Sequence, residues 1–415
     1  MAVGYPRPYL WIGETALPRR RVLWIGILIV LLGCITDAAR PKGGAESTAA
    51  PLSPHCEGVG VLDATLFLVG DAGAPRAPRE PLLDALASEA SARVAMLRGG
   101  RVAIALLGDN VYPSGLHAPG HEERPEDERR LNAQLEALQR SGARSFVLPG
   151  NHDWSNGETD GWEAVQRQTL FVAEHGASEV PPDGCAGPVS ATLGDHLELV
   201  LLDTQWWLHE GPRPDETTSG CAATSEADIE RALGTALRDA GGRHAIVLAH
   251  HPLRTGGPHG GKFGWKEHVF PLRELSPSLW IPIPLLGSIL PVARMLGVSV
   301  QDFPSDTYQA MIASIERGLE VAPPLVFAAG HEHGLQLIRG GGSPSFHVVS
   351  GAGSLAYLTW AYPVEGTLFA AAEPGYVRLD AFADGAVELT VEEVAGEGAR
   401  REIFSACLAA ASPPN

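Results

Sequence analysis

The stretch VAIALLGDNVYPSG, residues 102–115, closes an unbroken apolar run on Gly108 and then sets a carboxylate, Asp109, three residues ahead of a phenol, Tyr112. An apolar run of that length, stopped by glycine, reads as a strand buried on both faces. Asp-Asn alone is ordinary turn chemistry, and Tyr112 alone could be a core-edge aromatic. The pattern repeats, however. ATLFLVG (64–70) runs into Asp71, and SFVLPG (145–150) into Asn151, His152 and Asp153. HAIVLAH (244–250) ends on His250 and is followed by His251, and PLVFAAG (324–330) runs into His331 and His333.

Between these runs, Leu131, Leu135 and Leu138 share one helical face. Ile229, Leu233 and Leu237 share another, behind a possible cap at Ser225 and before Gly241-Gly242. LELVLLD (197–203) and FHVVSG (346–351) add further strand candidates. Strand–helix alternation implies an α/β domain. GYVRLDAF (375–382) and AVELTV (386–391), joined by Ala-Asp-Gly, read as a hairpin, so antiparallel strands are expected too. Ligands of open α/β sheets collect beyond the carboxyl ends of strands, so the polar groups that end the runs can converge.

The chain has 415 residues, 45% hydrophobic and 19% charged, a composition able to form a core. Its net charge of -18 argues against a nucleic-acid partner. It also makes an anionic substrate awkward unless bound metal reverses the local field.

Near the N-terminus, Arg19–Arg21 precede VLWIGILIVLLGC (22–34), the pattern of an export signal and too short for a comfortable span. Its end, Leu-Leu-Gly-Cys, resembles a bacterial lipoprotein signal with Cys34 as the lipidated residue. The expected organisation is a signal over 1–33, an Ala/Gly/Ser/Pro-rich tether over 34–60, one domain over 61–398 and a tail over 399–415. The protein is then expected to be exported and anchored to a membrane, facing the periplasm or the cell exterior. Cys56, Cys185, Cys221 and Cys407 permit two disulfides in three connectivities. Pairing 185 with 221 and 56 with 407 is the expectation, the latter because termini often lie close together; free thiols are the alternative. The apolar stretch 278–298 carries Pro282, Pro284 and Pro291, which disfavour one continuous helix. A buried insert is expected, with a lid or membrane-facing surface as the alternative.

Each strand-end motif is weak by itself; their conjunction is not. Carboxylate, phenol, imidazole and amide oxygen form a ligand set suited to iron, zinc or manganese. One carboxylate can bridge two cations, and a bridging hydroxide can attack phosphorus in line.

In their order, the motifs resemble the calcineurin-like metallophosphoesterases, and within them the purple acid phosphatase branch. That branch's pattern is Asp-x-Gly, Gly-Asp-x-x-Tyr, Gly-Asn-His-Asp/Glu, Val-x-x-His and Gly-His-x-His. This chain has DAG at 71–73, GDNVY at 108–112, GNHD at 150–153, VLAH at 247–250 and GHEH at 330–333. The resemblance covers about residues 61–360 and implies a four-layer αββα sandwich with two central mixed sheets. It implies a metal-dependent, acid phosphatase-like hydrolase of phosphate monoesters with two metal ions, iron paired with iron, zinc or manganese. Asp71, Asp109, Tyr112 and His333 would hold one ion; Asp109, Asn151, His250 and His331 the other, with Asp109 bridging. Most relatives carry histidine where Gly73 stands, and Tyr112 would supply the missing donor.

By the same resemblance, His152 would hold the phosphate or protonate the leaving alkoxide, with Asp153 orienting its ring. His259, nine residues after His250, would contact the phosphate or leaving group. His251, Trp154, Trp206 and Trp207 are read as packing or supporting residues, and His196 and His347 as strand positions without catalytic work. The region 260–320 between the fourth and fifth motifs would border the active-site mouth and leaves the substrate open. A manganese or zinc phosphodiesterase or nucleotidase, with Tyr112 only packing, is the second reading. A phosphate-binding surface lipoprotein without turnover is the third, and the presence of His152 weighs against it.

Overall fold

The structure is a computed structural model that describes residues 51–76, 79–97, 100–214, 217, 220–271, 280–354 and 358–411. The expected signal over 1–33 and the tether up to residue 50 lie outside the described residues. The chain divides into two units. One comprises Gly43–Lys262 and Val292–Asn415; the described residues of the other are 263–271 and 280–291.

The larger unit is a four-layer αββα sandwich. Its first sheet joins β1 (Leu62–Val69), β2 (Val102–Leu107), β3 (Arg144–Leu148), β11 (Gly375–Phe382), β12 (Val387–Val394) and β13 (Arg400–Ala409) in the order β13-β12-β11-β1-β2-β3. The second joins β4 (Val189–Leu193), β5 (Leu197–Leu201), β6 (His244–Leu248), β7 (Val326–Ala329), β8 (Leu335–Arg339), β9 (Phe346–Ser350) and β10 (Thr367–Ala371) in the order β10-β8-β9-β7-β6-β5-β4. Both sheets are mixed: β1, β2 and β3 run parallel, as do β5, β6, β7 and β9, while the remaining pairings are antiparallel.

The unbroken apolar runs now have their reason. Side chains alternate across a strand, so a run needs a cover on each face. Leu66 and Leu68 of β1, Ala105 and Leu107 of β2, and Ile246 and Leu248 of β6 fill the space between the sheets. Phe67, Val69, Ile104 and Leu106 face the opposite way, toward α1 (Pro81–Leu97), α2 (Arg124–Ser141) and α3 (Gly161–Glu174). Val247 and Phe327 of the second sheet pack on α4 (Gln205–Leu208), α5 (Glu226–Asp239) and α8 (Asp306–Leu319). The cap expected at Ser225 is present: its side chain accepts from Asp228 N at 3.2 Å. Both disulfides pair as expected, Cys56 with Cys407 and Cys185 with Cys221.

Three expectations need correction. The tail over 399–415 contains β13, whose small residues and leading arginines hide the strand pattern. The last ten tether residues are drawn into the fold: Leu52 packs on the inter-sheet core, Ser53 accepts from Cys407 N at 2.8 Å, and Cys56 is buried. The described part of the segment expected as a buried insert over 278–298, residues 280–298, is largely exposed or half-buried. Trp280, Leu285, Leu286 and Ile289 are exposed, because prolines break the stretch into pieces too short to present one packing face.

In the smaller unit, α6 (Trp265–Val269) precedes Phe270, and Ile283 N donates to Val269 O at 2.8 Å. The short helix α7 (Ile289–Met295) begins in this unit and ends in the larger one. Among the described residues, no helix is long and apolar enough to cross a membrane.

Candidate metal centre

β1, β2 and β3 are parallel neighbours, so Asp71, Asp109 and the 151–153 turn leave one edge of the first sheet. β6 and β7 likewise deliver His250 and His331 from one edge of the second. The two edges meet: a His250 ring nitrogen, Nδ1, lies 2.7 Å from the Leu107 carbonyl, and His331 N donates to Asp71 Oδ2 at 2.9 Å. Asp71, Asp109 and His331 all have positive φ, 60°, 56° and 66°. Residues with a Cβ rarely adopt that region, and such strain concentrates where function requires it. A Cβ on Gly73 would lie 2.5 Å from the Asp109 carbonyl oxygen and from the Asn110 carbonyl carbon. This backbone therefore has no room for a side chain at position 73.

The donors gather in two groups. In the first, Tyr112 Oη lies 3.1 Å from Asp71 Oδ1, 3.0 Å from Asp109 Oδ2 and 3.1 Å from His333 Nε2. In the second, Asn151 Oδ1 lies 3.0 Å from His250 Nε2 and 3.1 Å from His331 Nδ1. Asp109 reaches both, since its other oxygen, Oδ1, is 3.4 Å from His250 Nε2.

These groups fit cations on chemical grounds. The phenol has one proton for two buried carboxylates. His250 Nδ1–H donates to the Leu107 carbonyl, and His331 Nε2–H donates to the Gln301 carbonyl at 3.0 Å. In the neutral rings, the remaining nitrogens therefore turn lone pairs toward the amide oxygen of Asn151. Acceptors facing acceptors at such distances call for a positive charge between them, a ring proton or a metal ion.

The titration shifts express the same need. Burial, followed by the charges of Asp109 and Asp71, pushes Tyr112 well above its ordinary value. Burial works to raise Asp109, but His250 and then His152 outweigh it and hold the carboxyl below its usual range. Burial works to lower His250, but Asp109 and Asp71 raise it. His331 is driven well down by burial and by the neighbouring His259, His251 and His250 rings.

His152 stands at the mouth. Its Nδ1 is held by the Pro113 carbonyl, its ring centroid is 4.4 Å from that of Tyr112, and its Nε2 is 3.8 Å from Asp109 Oδ2. Asp153 does not orient that ring. Fully buried, it accepts from the N–H groups of Gly150 (2.8 Å), Asn110 (3.0 Å) and Val111 (3.1 Å), so it clamps the turn that carries Asp109. Burial, then Asp109, pushes it up to about 7. His259 packs against His331 with ring centroids 4.2 Å apart and meets Asp302 Oδ1 through Nδ1 at 3.2 Å.

Sequence reasoning missed Gln301 and Asp302. Gln301 fixes His331 through its carbonyl and faces His251 Nε2 with its side-chain oxygen at 2.9 Å, while Asp302 braces His259. Neither follows a strand, so no pattern marks them. His251, Trp154, Trp206 and Trp207 are buried, and the Trp154 ring N–H donates to Asp203 Oδ2 at 2.9 Å.

No protein-family model and no curated protein matches the chain. Solved structures do. A purple acid phosphatase, PPD1, from yellow lupin seeds is similar at 14% identity and a TM-score of 0.48, over 82% of this chain and 53% of that one. GAP50, the anchor in the inner membrane complex of Plasmodium, is similar at 14% identity and a TM-score of 0.47, over 83% and 89%. A cold-active protein-tyrosine phosphatase of a psychrophilic Shewanella species follows at 11% identity and a TM-score of 0.29, over 82% and 80%.

Proposed function

We propose that this chain is a metal-dependent, acid phosphatase-like hydrolase of phosphate esters, held at a membrane through Cys34. The observation that carries the reading is Asp109, whose two carboxylate oxygens face separate donor groups. Asp71, Asp109, Tyr112 and His333 would hold one ion, iron on the resemblance to purple acid phosphatases. Asp109, Asn151, His250 and His331 would hold the second, iron, zinc or manganese. When bound, such a pair supplies Lewis acidity toward phosphoryl oxygens and lowers the pKa of an attacking water.

The remaining work falls to this chain's side chains. With Nδ1–H of His152 given to the Pro113 carbonyl, Nε2, the atom turned toward Asp109, is an acceptor in the neutral ring and carries a transferable proton only in the imidazolium. From there it can hold a phosphoryl oxygen or protonate the leaving alkoxide. His259 is braced by Asp302 through Nδ1, so in the neutral ring its Nε2 would accept a proton rather than give one. Asp153 acts one step back by fixing the Asp109 turn.

The test is hydrolysis of an aryl phosphate monoester by the purified full chain, beside a diester of the same alcohol. Faster monoester turnover that Asp109→Asn cuts by at least about a hundredfold supports the reading. Preference for the diester would favour the phosphodiesterase alternative. Undiminished hydrolysis in Asp109→Asn would sink the proposal.

A further inference from the structure

Seven of the fourteen large hydrophobic residues exposed among the described residues lie in the smaller unit, within 263–271 and 280–291. Scattered exposure is normal for any surface; such concentration in about twenty residues is not. Leu285, the most exposed of them at 81%, is also a non-glycine residue at φ 69°, a conformation that a branched side chain resists. The tip is thus held in a strained shape with its leucine outward. Behind it the platform is braced: Phe270 lies 5.3 Å from the Trp280 ring and 6.2 Å from the Trp265 ring.

We propose that Trp265, Trp280, Ile281, Leu285, Leu286 and Ile289 form a lipid-seeking surface that enters the interfacial layer of a bilayer. Tryptophan flanking leucine and isoleucine is the composition of that layer, where the rings sit at headgroup level and aliphatic side chains reach the acyl region. No charged residue occurs from 275 to 293, in a chain with 49 acidic and 31 basic residues. Over 280–291 a charged partner has nothing to pair with, and Lys266 and Glu267 flank only the Trp265 end. Lipid is favoured over a second copy of the chain by the apolar run at 22–34. If that run is an anchor, the sixteen residues from 35 to 50 reach at most about 55 Å, which keeps Pro51 near the membrane. Apolar burial drives this association, so it is insensitive to salt and to headgroup charge.

The experiment reads tryptophan fluorescence of the full chain on phosphatidylcholine vesicles with and without brominated acyl chains. Subtracting a Trp265→Phe/Trp280→Phe variant isolates the two rings. The expected result is that bromine quenches this difference signal by half or more, and that Leu285→Ser/Leu286→Ser/Ile289→Ser abolishes the quenching. Those side chains are exposed, so the triple variant keeps its fold, checked by an unchanged far-ultraviolet circular dichroism spectrum and thermal unfolding midpoint. An unquenched difference signal overturns the proposal, even if the chain still floats with the vesicles through its N-terminal anchor. So does a signal that changes with protein concentration and not with lipid, the mark of a second copy. Quenching in a chain whose Cys34→Ser variant also stays vesicle-bound upholds it. The vesicle readouts use fluorescence alone, so they stand apart from the proposed reaction.

Discussion

A phenol oxygen 3.0 Å from Asp109 Oδ2 and 3.1 Å from Asp71 Oδ1 cannot satisfy both carboxylates with one proton. Replacing it tests whether a cation takes the proton's place. Tyr112→Phe should weaken one of two bound ions by roughly 10–100-fold, read by metal titration, and should abolish any visible phenolate–iron band. Full retention of both ions would leave Tyr112 a packing residue. His347 gives an independent residue-scale prediction. Burial, then Arg254, lowers its pKa from 6.5 to about 4, so the folded state binds fewer protons than the unfolded chain between those values. Its contribution to stability is complete above pH 6.5 and is lost on acidification toward pH 4, by about 3 kcal/mol in all. Urea unfolding across that range should show the loss, and His347→Leu should remove it. The residues at strand ends were legible because a run, a glycine and a polar group form a local pattern. Asp153 was misread because sequence adjacency to His152 says nothing about side-chain partners: Asp153 accepts from Gly150, Asn110 and Val111 N–H groups, whereas His152 meets the Pro113 carbonyl.

Strands covered on both sides read plainly, since their runs are largely apolar: β2, β5, β6, β7 and β9 fall inside the quoted runs, and β1 and β3 overlap theirs. β4, β8, β10 and β13 escaped for a physical reason. β4 and β13 border solvent and mix polar residues into the run, as Val-Ser-Ala-Thr-Leu does over 189–193, while β8 and β10 are short and interrupted by Gln336 or alanines. The inter-sheet layer makes a falsifiable claim about elements. Leu66 is fully buried between the sheets, away from the metal-facing strand ends. Leu66→Ala should cost about 2–5 kcal/mol in urea unfolding while leaving metal stoichiometry unchanged. A loss of metal without loss of stability would mean that the sheets are not independent of the loops they carry.

Across the larger unit, the two disulfides differ mainly in the length of chain they close. Cys56–Cys407 spans 351 residues and ties the first described segment to the last strand; Cys185–Cys221 spans 36. Chain entropy then assigns roughly 5–6 kcal/mol to the first and roughly 4 kcal/mol to the second. Cys56→Ser/Cys407→Ser should lower thermal stability more than Cys185→Ser/Cys221→Ser; the reverse order would show that local strain outweighs loop length. The fold class was legible from the alternation of runs and helical faces, whereas the exposed Trp280–Leu286 surface was not, because apolar composition alone cannot say which side of it meets water.

The most direct measurement is the metal content of the purified chain by mass spectrometry, for the wild type and for Asp109→Asn. The account requires two ions per chain in the wild type and a loss of both, or of their cooperation in binding, when the shared carboxylate becomes an amide. One ion or none in an active wild type, or two ions undisturbed in the variant, would contradict it.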